Sequence, residues 1–184
     1  ARVSNVESIT AVANANIISL AFADAVSSVL TTVDLSGDTD ATADNVVDVS
    51  AETADAYTIT GSAGVDTITG GAGADIISGG AGADIIDGGS GIDVITGGEG
   101  NDTIKYANTA AFITGNAVID SVDGGGGTGD TIQIGTGAFA ITTADSLSRV
   151  SNVESITAVA NANIISLAFD DSVSSVLTTV DLSG

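Results

Sequence analysis

The chain has 184 residues and a formal net charge of −21, because 24 acidic residues are opposed only by Arg2, Lys105 and Arg149. This charge excludes nucleic acid and anionic membranes as electrostatic partners and favours the binding of a cation. Cysteine and histidine are absent and no apolar run is long enough to span a bilayer, which excludes disulfide bridges and membrane insertion.

Residues 1–60 are predicted to form a β-solenoid segment in which short strands alternate with turns. Stretches rich in β-branched residues are separated by Asn, Asp, Ser and Gly at intervals close to half a coil. The apolar spacing over Asp24–Leu30 allows one short helical turn, so helix is expected to be a minor component. The predicted strands of this segment are Val6–Val12, Ile17–Phe22, Leu30–Leu35, Val46–Val49 and Tyr57–Ile59.

Residues 61–105 consist of five consecutive nonapeptides, GSAGVDTIT, GGAGADIIS, GGAGADIID, GGSGIDVIT and GGEGNDTIK. Glycine at the first and fourth positions suits a tight six-residue turn, and the last three residues suit an extended strand. The strict register distinguishes these repeats from a flexible glycine-rich linker. Two nonapeptides then form one coil, and the isoleucine at each eighth position points inward. The stacked core is predicted to contain Ile68, Ile77, Ile86, Ile95 and Ile104.

The aspartate at each sixth position is predicted to stack with the aspartate of the next coil. This places Asp66, Asp84 and Asp102 on one edge of the solenoid and Asp75 and Asp93 on the other. Stacked carboxylates repel each other unless a cation neutralises them. Calcium accepts six to eight oxygen ligands, which turn carbonyls and one aspartate from each of two neighbouring loops can supply, whereas octahedral magnesium fits poorly. The predicted metal-binding glycines are Gly61, Gly64, Gly70, Gly73, Gly79, Gly82, Gly88, Gly91, Gly97 and Gly100.

Residues 106–147 are predicted to contain further solenoid coils, with strands at Ala117–Asp120, Thr131–Ile134 and Ala138–Ile141. A degenerate sixth calcium loop spans residues 123–132, where the nonapeptide pattern returns with one inserted residue. Asp123 and Asp130 are therefore added to the candidate metal ligands.

A second repeat operates on a larger scale, because residues 2–37 recur at 149–184 with only two substitutions. The offset of 147 residues predicts a tandem array in which residues 1–147 form one unit and residues 148–184 begin the next. We expect the chain to be a window from a longer array. At about 18 residues and about 4.8 Å per coil, one unit would contain about eight coils over roughly 40 Å. An exposed solenoid end favours stacking against the neighbouring unit.

The nonapeptides match the pattern G-G-x-G-x-D-x-U-x and resemble the RTX (repeats-in-toxin) family of calcium-binding β-rolls. The order of Asn5–Ile9, Leu30–Ser36 and the nonapeptides also resembles bacterial surface-layer proteins and large RTX adhesins. The resemblance implies an all-β fold, a parallel β-roll or β-solenoid with calcium-binding loops and little helix. It further implies type I secretion to an extracellular, bacterial cell-surface location and folding on contact with external calcium.

We expect a structural building block of a calcium-stabilised extracellular assembly, such as a surface layer, a filament or an adhesin stalk. The expected partners are copies of the chain itself, in tandem and laterally, with a cell-surface polysaccharide as an anchor. The alternative is an RTX accessory module of a type I-secreted modular enzyme, whose catalytic domain would lie outside this sequence. Catalysis within the chain is not expected, because each repeat aspartate already has a structural place and no histidine or cysteine is present.

Overall fold

The computed structural model describes residues 8–10, 19–21, 30–115, 117–135, 139–141, 147–158, 165–167 and 179–181. Its elements in chain order are β1 (Ser8–Thr10), β2 (Ser19–Ala21), β3 (Thr32–Asp34), β4 (Asn45–Asp48), β5 (Thr58–Thr60), β6 (Asp66–Thr69), β7 (Ile76–Ala81), β8 (Ile85–Asp87), β9 (Val94–Glu99), β10 (Thr103–Tyr106), α1 (Thr109–Phe112), β11 (Ile113–Thr114), β12 (Ala117–Val118), β13 (Ser121–Gly126), β14 (Thr131–Ile134), β15 (Phe139–Ile141), β16 (Val150–Ser151), β17 (Ser155–Ala158), β18 (Ile165–Leu167) and β19 (Thr179–Asp181).

Apart from the two-stranded pairs β11-β12 and β15-β18, the strands from β1 to β17 alternate between two parallel sheets, and each passage from one sheet to the other completes half a coil. Of the predicted solenoid strand Ala138–Ile141, the described residues Phe139–Ile141 form β15, which lies outside both main sheets. The seven-stranded sheet has the order β1-β3-β5-β7-β9-β13-β16, and the eight-stranded sheet has the order β2-β4-β6-β8-β10-β14-β17-β19. This arrangement confirms the predicted all-β fold with a parallel β-roll. Over the described part of the chain the only helix is α1, with four residues, and no helix is long and apolar enough to cross a membrane.

The core is one stack of aliphatic side chains from each sheet. Side chains alternate in and out along a strand, so the middle residue of each three-residue strand points inward. The five isoleucines predicted to stack are at most 1% exposed, which confirms that prediction. Burial of one such side chain contributes roughly 1.5–3 kcal/mol, so the repetition of the contact stabilises the coil. The stack is extended beyond the nonapeptides by Val33, Val47, Ile59, Val122, Ile132 and Ile156.

Coil length differs between the nonapeptides and their flanks. Thr58 pairs with Ile76 and Ile76 with Val94, which gives the predicted 18 residues per coil. Outside the nonapeptides the coils are longer, since Ser8 pairs with Thr32 and Val122 with Val150. Because the flanking loops take more residues, the expectation of about eight coils is wrong. Between β1 and the start of β17 the described strands make six and a half coils.

The loop between β10 and β13 contains α1 and the antiparallel pair of β11 and β12. The sequence predicts a solenoid strand over Ala117–Asp120, but only Ala117–Val118 is a strand, β12, and it pairs with β11 instead of joining either main sheet. Phe112 is completely buried, and its ring packs against Tyr106 with centroids 5.0 Å apart. This contact holds the segment between β10 and β13, here called the excursion, against the end of β10.

On one side of the solenoid, the glycine pairs that were expected to begin the turns belong to strands instead. β7 and β9 continue through their glycines, and Gly80 pairs with Gly98. β13 does the same, so the run from Asp123 to Gly126, expected as a loop, is a strand. The turn itself is therefore shorter than six residues here. Residues 24–29 of the predicted helical turn, and the outer parts of the first two predicted strands, lie outside the described residues.

Candidate metal centre

Loops of equivalent position lie one coil apart along two edges of the solenoid. On the first edge the chain passes from the seven-stranded to the eight-stranded sheet, as between β7 and β8. On the second edge it returns, as between β8 and β9. A residue that recurs once per coil therefore forms a ladder along one edge.

Four aspartates form the ladder of the first edge, and hydrogen bonds of 2.8 Å join each to the next. The backbone N–H of Asp66 donates to Oδ1 of Asp84, that of Asp84 to Asp102, and that of Asp102 to Asp130. The N–H of Asp130 donates in turn to Glu154 Oε2 at 2.8 Å. All four aspartates are at most 1% exposed, so the ladder is inside the protein.

The second edge carries a matching ladder. The backbone N–H of Tyr57 donates to Asp75 Oδ1 at 2.8 Å, and that of Asp75 donates to Asp93 Oδ1 at 2.9 Å. The N–H of Asp93 donates to Asp120 Oδ1 at 2.8 Å. The repeat aspartates thus stack every 18 residues on two separate edges, as the sequence predicts.

The glycines are required because neighbouring loops approach closely at their first and fourth positions. A Cβ on Gly79 would overlap both Asp84 Oδ2 and the carbonyl oxygen of Gly97. A Cβ on Gly82 would overlap the carbonyl oxygen of Gly64. The other predicted glycines at these two positions also meet a carbonyl oxygen of a neighbouring loop, except Gly88, which meets side-chain atoms of Asp93 and Ile95. Backbone carbonyls and an aspartate therefore lie close together in these loops.

The first nonapeptide loop on each edge satisfies its own aspartate. The N–H of Ser62 donates to Asp66 Oδ2 at 2.6 Å, and the Ser62 hydroxyl lies 3.0 Å from the same oxygen. The N–H of Gly71 donates to Asp75 Oδ2 at 2.9 Å. Both oxygens of these aspartates therefore have protein donors.

The later loops of the first edge have a different conformation. The second glycine of each has a positive φ, 109° at Gly80 and 120° at Gly98, which turns its N–H away from the aspartate. Among the described residues, the Oδ2 atoms of Asp84, Asp102 and Asp130 are buried and accept no hydrogen bond. A buried carboxylate oxygen without a donor is costly unless a proton or a cation binds it.

The burial of these carboxyl groups changes their protonation. Burial raises the pKa of Asp84 to about 7, and the charges of Asp102 and Asp66 act in the same direction. Burial likewise raises the pKa of Asp93 to about 7, aided by the charges of Asp120 and Asp75. An ion that keeps these groups charged at neutral pH must supply positive charge inside the loops.

The donor set fits calcium. It consists of carboxylate and carbonyl oxygens, which are the ligands that this hard cation prefers. Within the described ranges, no three Asp, Glu, His or Cys side chains come together to hold a metal by themselves. Backbone carbonyls must therefore complete the coordination, and the crowded glycine positions bring those carbonyls beside Asp84 and Asp102.

Two predicted residues of the degenerate loop behave differently. Asp130 joins the first ladder, and the inserted residue is accommodated between Gly127, which lies against Gly100, and Asp130. Asp123 lies outside both ladders. Its Oδ1 accepts hydrogen bonds from the side chain of Asn152 at 2.7 Å and from the N–H of Gly125 at 3.2 Å.

Asp120 and Glu154 belong to the ladders although the sequence reasoning did not select them. Both keep the spacing of the repeat, an acidic residue two positions before an inward-pointing Val122 or Ile156. Neither is preceded by the glycines of the nonapeptide. The acidic residue and the branched aliphatic residue alone are therefore the signal that would have found them.

Comparison with known families agrees with this geometry. The family of the RTX calcium-binding nonapeptide repeat, in its four-copy form, matches residues 58–86 and 78–105. Neither a curated protein nor a solved structure matches the chain.

Proposed function

Because residues 58–105 are RTX calcium-binding repeats, we propose that the calcium-binding module of this chain is a structural building block of an extracellular assembly. Its ligand is calcium, as in other proteins with these repeats. The observation that carries the proposal is the pair of buried aspartate ladders. They join consecutive coils along the repeat region, and each sixth-position aspartate of the nonapeptides belongs to one of them.

The aspartates would hold calcium between loops of consecutive coils. Asp84 and Asp102 supply buried carboxylate oxygens, and the turn carbonyls around Gly82 and Gly100 supply the remaining donors. Bound calcium contributes positive charge that offsets the repulsion within each ladder. Without that charge the carboxylates oppose stacking, so coil formation is linked to calcium concentration.

The linkage between calcium binding and coil formation suits a protein that is exported from the cell. RTX repeat proteins are typically secreted, and calcium concentrations outside cells reach the millimolar range that extracellular modules require. In a cytosol with little calcium, a net charge of −21 would keep the chain extended. Outside the cell, the same carboxylates would become the sites that order it.

The near-identity of the two long repeats supports an array rather than an accessory module of an enzyme. Residues 2–37 and 149–184 differ at only two positions. Nearly identical repeats provide length and equivalent contacts, which a mechanical spacer, a filament or a lattice needs. An accessory module that only assists the folding of an enzyme does not need them. We infer lateral and tandem self-association and a non-catalytic role.

The test is a calcium titration of the chain by far-UV circular dichroism, with light scattering recorded in parallel and magnesium as the control ion. We expect a cooperative gain of β-structure that calcium alone produces, followed by growth in particle size. If the particle size does not increase at any calcium concentration, the proposed assembly role is contradicted. A β-spectrum and a melting temperature that are the same in chelator as in saturating calcium would contradict the linkage between calcium and folding.

A further inference from the structure

On the second edge, the loop directly before the nonapeptide loops spans residues 49–57. The N–H of Ala72 donates to the carbonyl oxygen of Glu52 at 3.0 Å, so this loop stacks against the first nonapeptide loop of the edge. At its end, Tyr57 takes the place of a ladder aspartate beneath Asp75. The loop therefore has no carboxylate at the position where the nonapeptides carry one.

Glu52 supplies a carboxylate from a different position of the same loop. Its side chain is 1% exposed. Both Oε1 and Oε2 are buried, and neither accepts a hydrogen bond from any described residue. A buried carboxylate without a donor is costly, and a bound cation offsets that cost.

The first edge provides a matched comparison. The N–H of Ala63 donates to the carbonyl oxygen of Asp38 at 3.1 Å, which places Asp38 in its loop stack as Glu52 is placed in the other. Asp38 is also fully buried, but Asp40 N–H and Asn45 Nδ2 lie 3.1 and 3.4 Å from its two oxygens. The protein satisfies the carboxylate at this position on one edge and leaves it without donors on the other.

The surroundings of Glu52 are rich in oxygen and negative charge. The carbonyl oxygens of Val49 and Glu52 face Gly71, where an added Cβ would lie 3.2 and 3.1 Å from them. Burial raises the pKa of Tyr57 to about 12, and the negative charges of Glu52, Asp55 and Asp75 contribute to this rise. A cation is favoured in such a field, since every nearby charge is negative.

We propose that Glu52 binds a calcium ion on the second edge, in the loop directly before the nonapeptide loops and outside the nonapeptide motif. The ligands would be the Glu52 carboxylate and carbonyl oxygens of its own turn. The inference rests on the proposed calcium-dependent folding of the chain. It implies that calcium also orders the non-repetitive coil beneath the repeats and thereby defines where the calcium-bound solenoid begins.

The test compares Glu52→Gln with the unmodified chain and with Asp44→Asn, which removes one charge from an exposed position of the neighbouring loop. Calcium bound per folded chain at saturation is counted by equilibrium dialysis and elemental analysis. We expect the count to fall by one ion in Glu52→Gln and to stay unchanged in Asp44→Asn. Circular dichroism in saturating calcium verifies that each variant is folded.

An unchanged count in folded Glu52→Gln would overturn the proposal, because it would show that no calcium ion depends on the Glu52 carboxylate. If the unmodified chain bound no calcium at all, the proposed calcium-dependent folding itself would fail, which is a separate outcome. If Glu52→Gln does not fold, Glu52→Asp is measured in its place, because it keeps the charge on a shorter side chain. A calcium site predicts that one ion then binds at least several-fold more weakly, whereas unchanged affinities for every ion would overturn the proposal.

Discussion

Each ladder aspartate uses its two carboxylate oxygens for different purposes. Oδ1 accepts the backbone N–H of the preceding coil, so it joins coils whether or not a metal is present. Oδ2 points into the loop of its own residue, where Asp66 finds a protein donor and Asp84 does not. Dependence on calcium is therefore a property of the second oxygen, and it differs from one aspartate to the next.

Replacement of Asp84 should weaken calcium binding more than replacement of Asp66. In Asp84→Asn the amide keeps the contact with the Asp66 N–H but removes a charged ligand that two stacked loops share. We expect the calcium midpoint of folding to rise roughly tenfold, since ligand charge tunes the affinity of such sites over decades. Asp66→Asn, whose loop already provides donors from Ser62, should shift it much less. Equal midpoints in circular dichroism titrations of the two variants would contradict the ladder arrangement.

The calcium-free protein should become more stable as pH falls from 8 to 5. Burial raises the folded pKa of Asp84 and Asp93 from 3.8 to about 7, so the folded state binds protons more tightly than the unfolded state. Stability from these groups is then fully present below pH 4 and is lost as pH rises through 7. Thermal melts in chelator should show the higher midpoint at pH 5.

Calcium should reverse this trend, because protons compete with the ion for the same oxygens. In saturating calcium the melting temperature should fall as pH is lowered below about 7. A double variant, Asp84→Asn with Asp93→Asn, serves as the control and should flatten both profiles. A calcium-free melting temperature that rises with pH would show that these carboxyls are not protonated in the fold.

At the scale of single elements, the nonapeptide coils are uniform and the excursion after β10 is the exception. Its helix and antiparallel pair would be an exposed flap without Phe112, which packs its ring against Tyr106. The next ladder residue, Asp120, follows directly after this excursion. Packing of one aromatic side chain therefore helps to bring an aspartate into register across a long loop.

Phe112→Ala should lower the stability of the calcium-bound fold by about 3–5 kcal/mol, because a completely buried phenylalanine leaves a cavity. For a chain of this size, that corresponds to a loss of roughly 10 °C in melting temperature. Ile92→Ala is the matched control, since Ile92 is 59% exposed and should change stability by less than about 0.5 kcal/mol. Similar melting temperatures for the two variants would mean that the excursion is not fastened through Phe112.

The contrast between repeats and excursion explains how far the sequence could be interpreted. Within the nonapeptides a fixed period of nine dictates which residues stack, so the isoleucine core and the two aspartate edges follow from spacing alone. Outside them the period changes with each loop. The places of Asp120, Glu52 and Asp38 depend on how many residues a loop consumes, which hydrogen bonds between coils decide. For that reason the number of coils was overestimated and these three carboxylates were missed.

At the scale of the whole molecule, the two copies of the long repeat lie on different sheets. Ser8–Thr10 forms β1 in the seven-stranded sheet, whereas the identical residues 155–157 lie in β17 of the eight-stranded sheet. The same holds for β3 and its copy β19. The cause is the half coil left over in each unit of six and a half coils. Identical sequences in successive units therefore face opposite sides of the solenoid.

Because of this half coil, the structural repeat of a tandem array would be two units long, although its sequence repeats after one unit. One unit would advance roughly 31 Å along the solenoid axis at about 4.8 Å per coil, but the same face returns only after two units, roughly 62 Å. A surface residue would then alternate between the two sides of the array. Contacts made by that residue would be available on both sides, which suits a sheet or a bundle better than attachment along one face.

The last prediction tests this alternation in an array of several identical units. The sequence contains no cysteine, so Ile92→Cys in each unit provides a single exposed site per unit for a small gold label. Electron microscopy should show labels on alternate sides along the array. Deletion of residues 79–87 removes one nonapeptide, which is half a coil, and should bring all labels to one side. Labels on a single side before the deletion would mean that the units contain whole coils and that the opposite placement of β1 and β17 is not carried through the array.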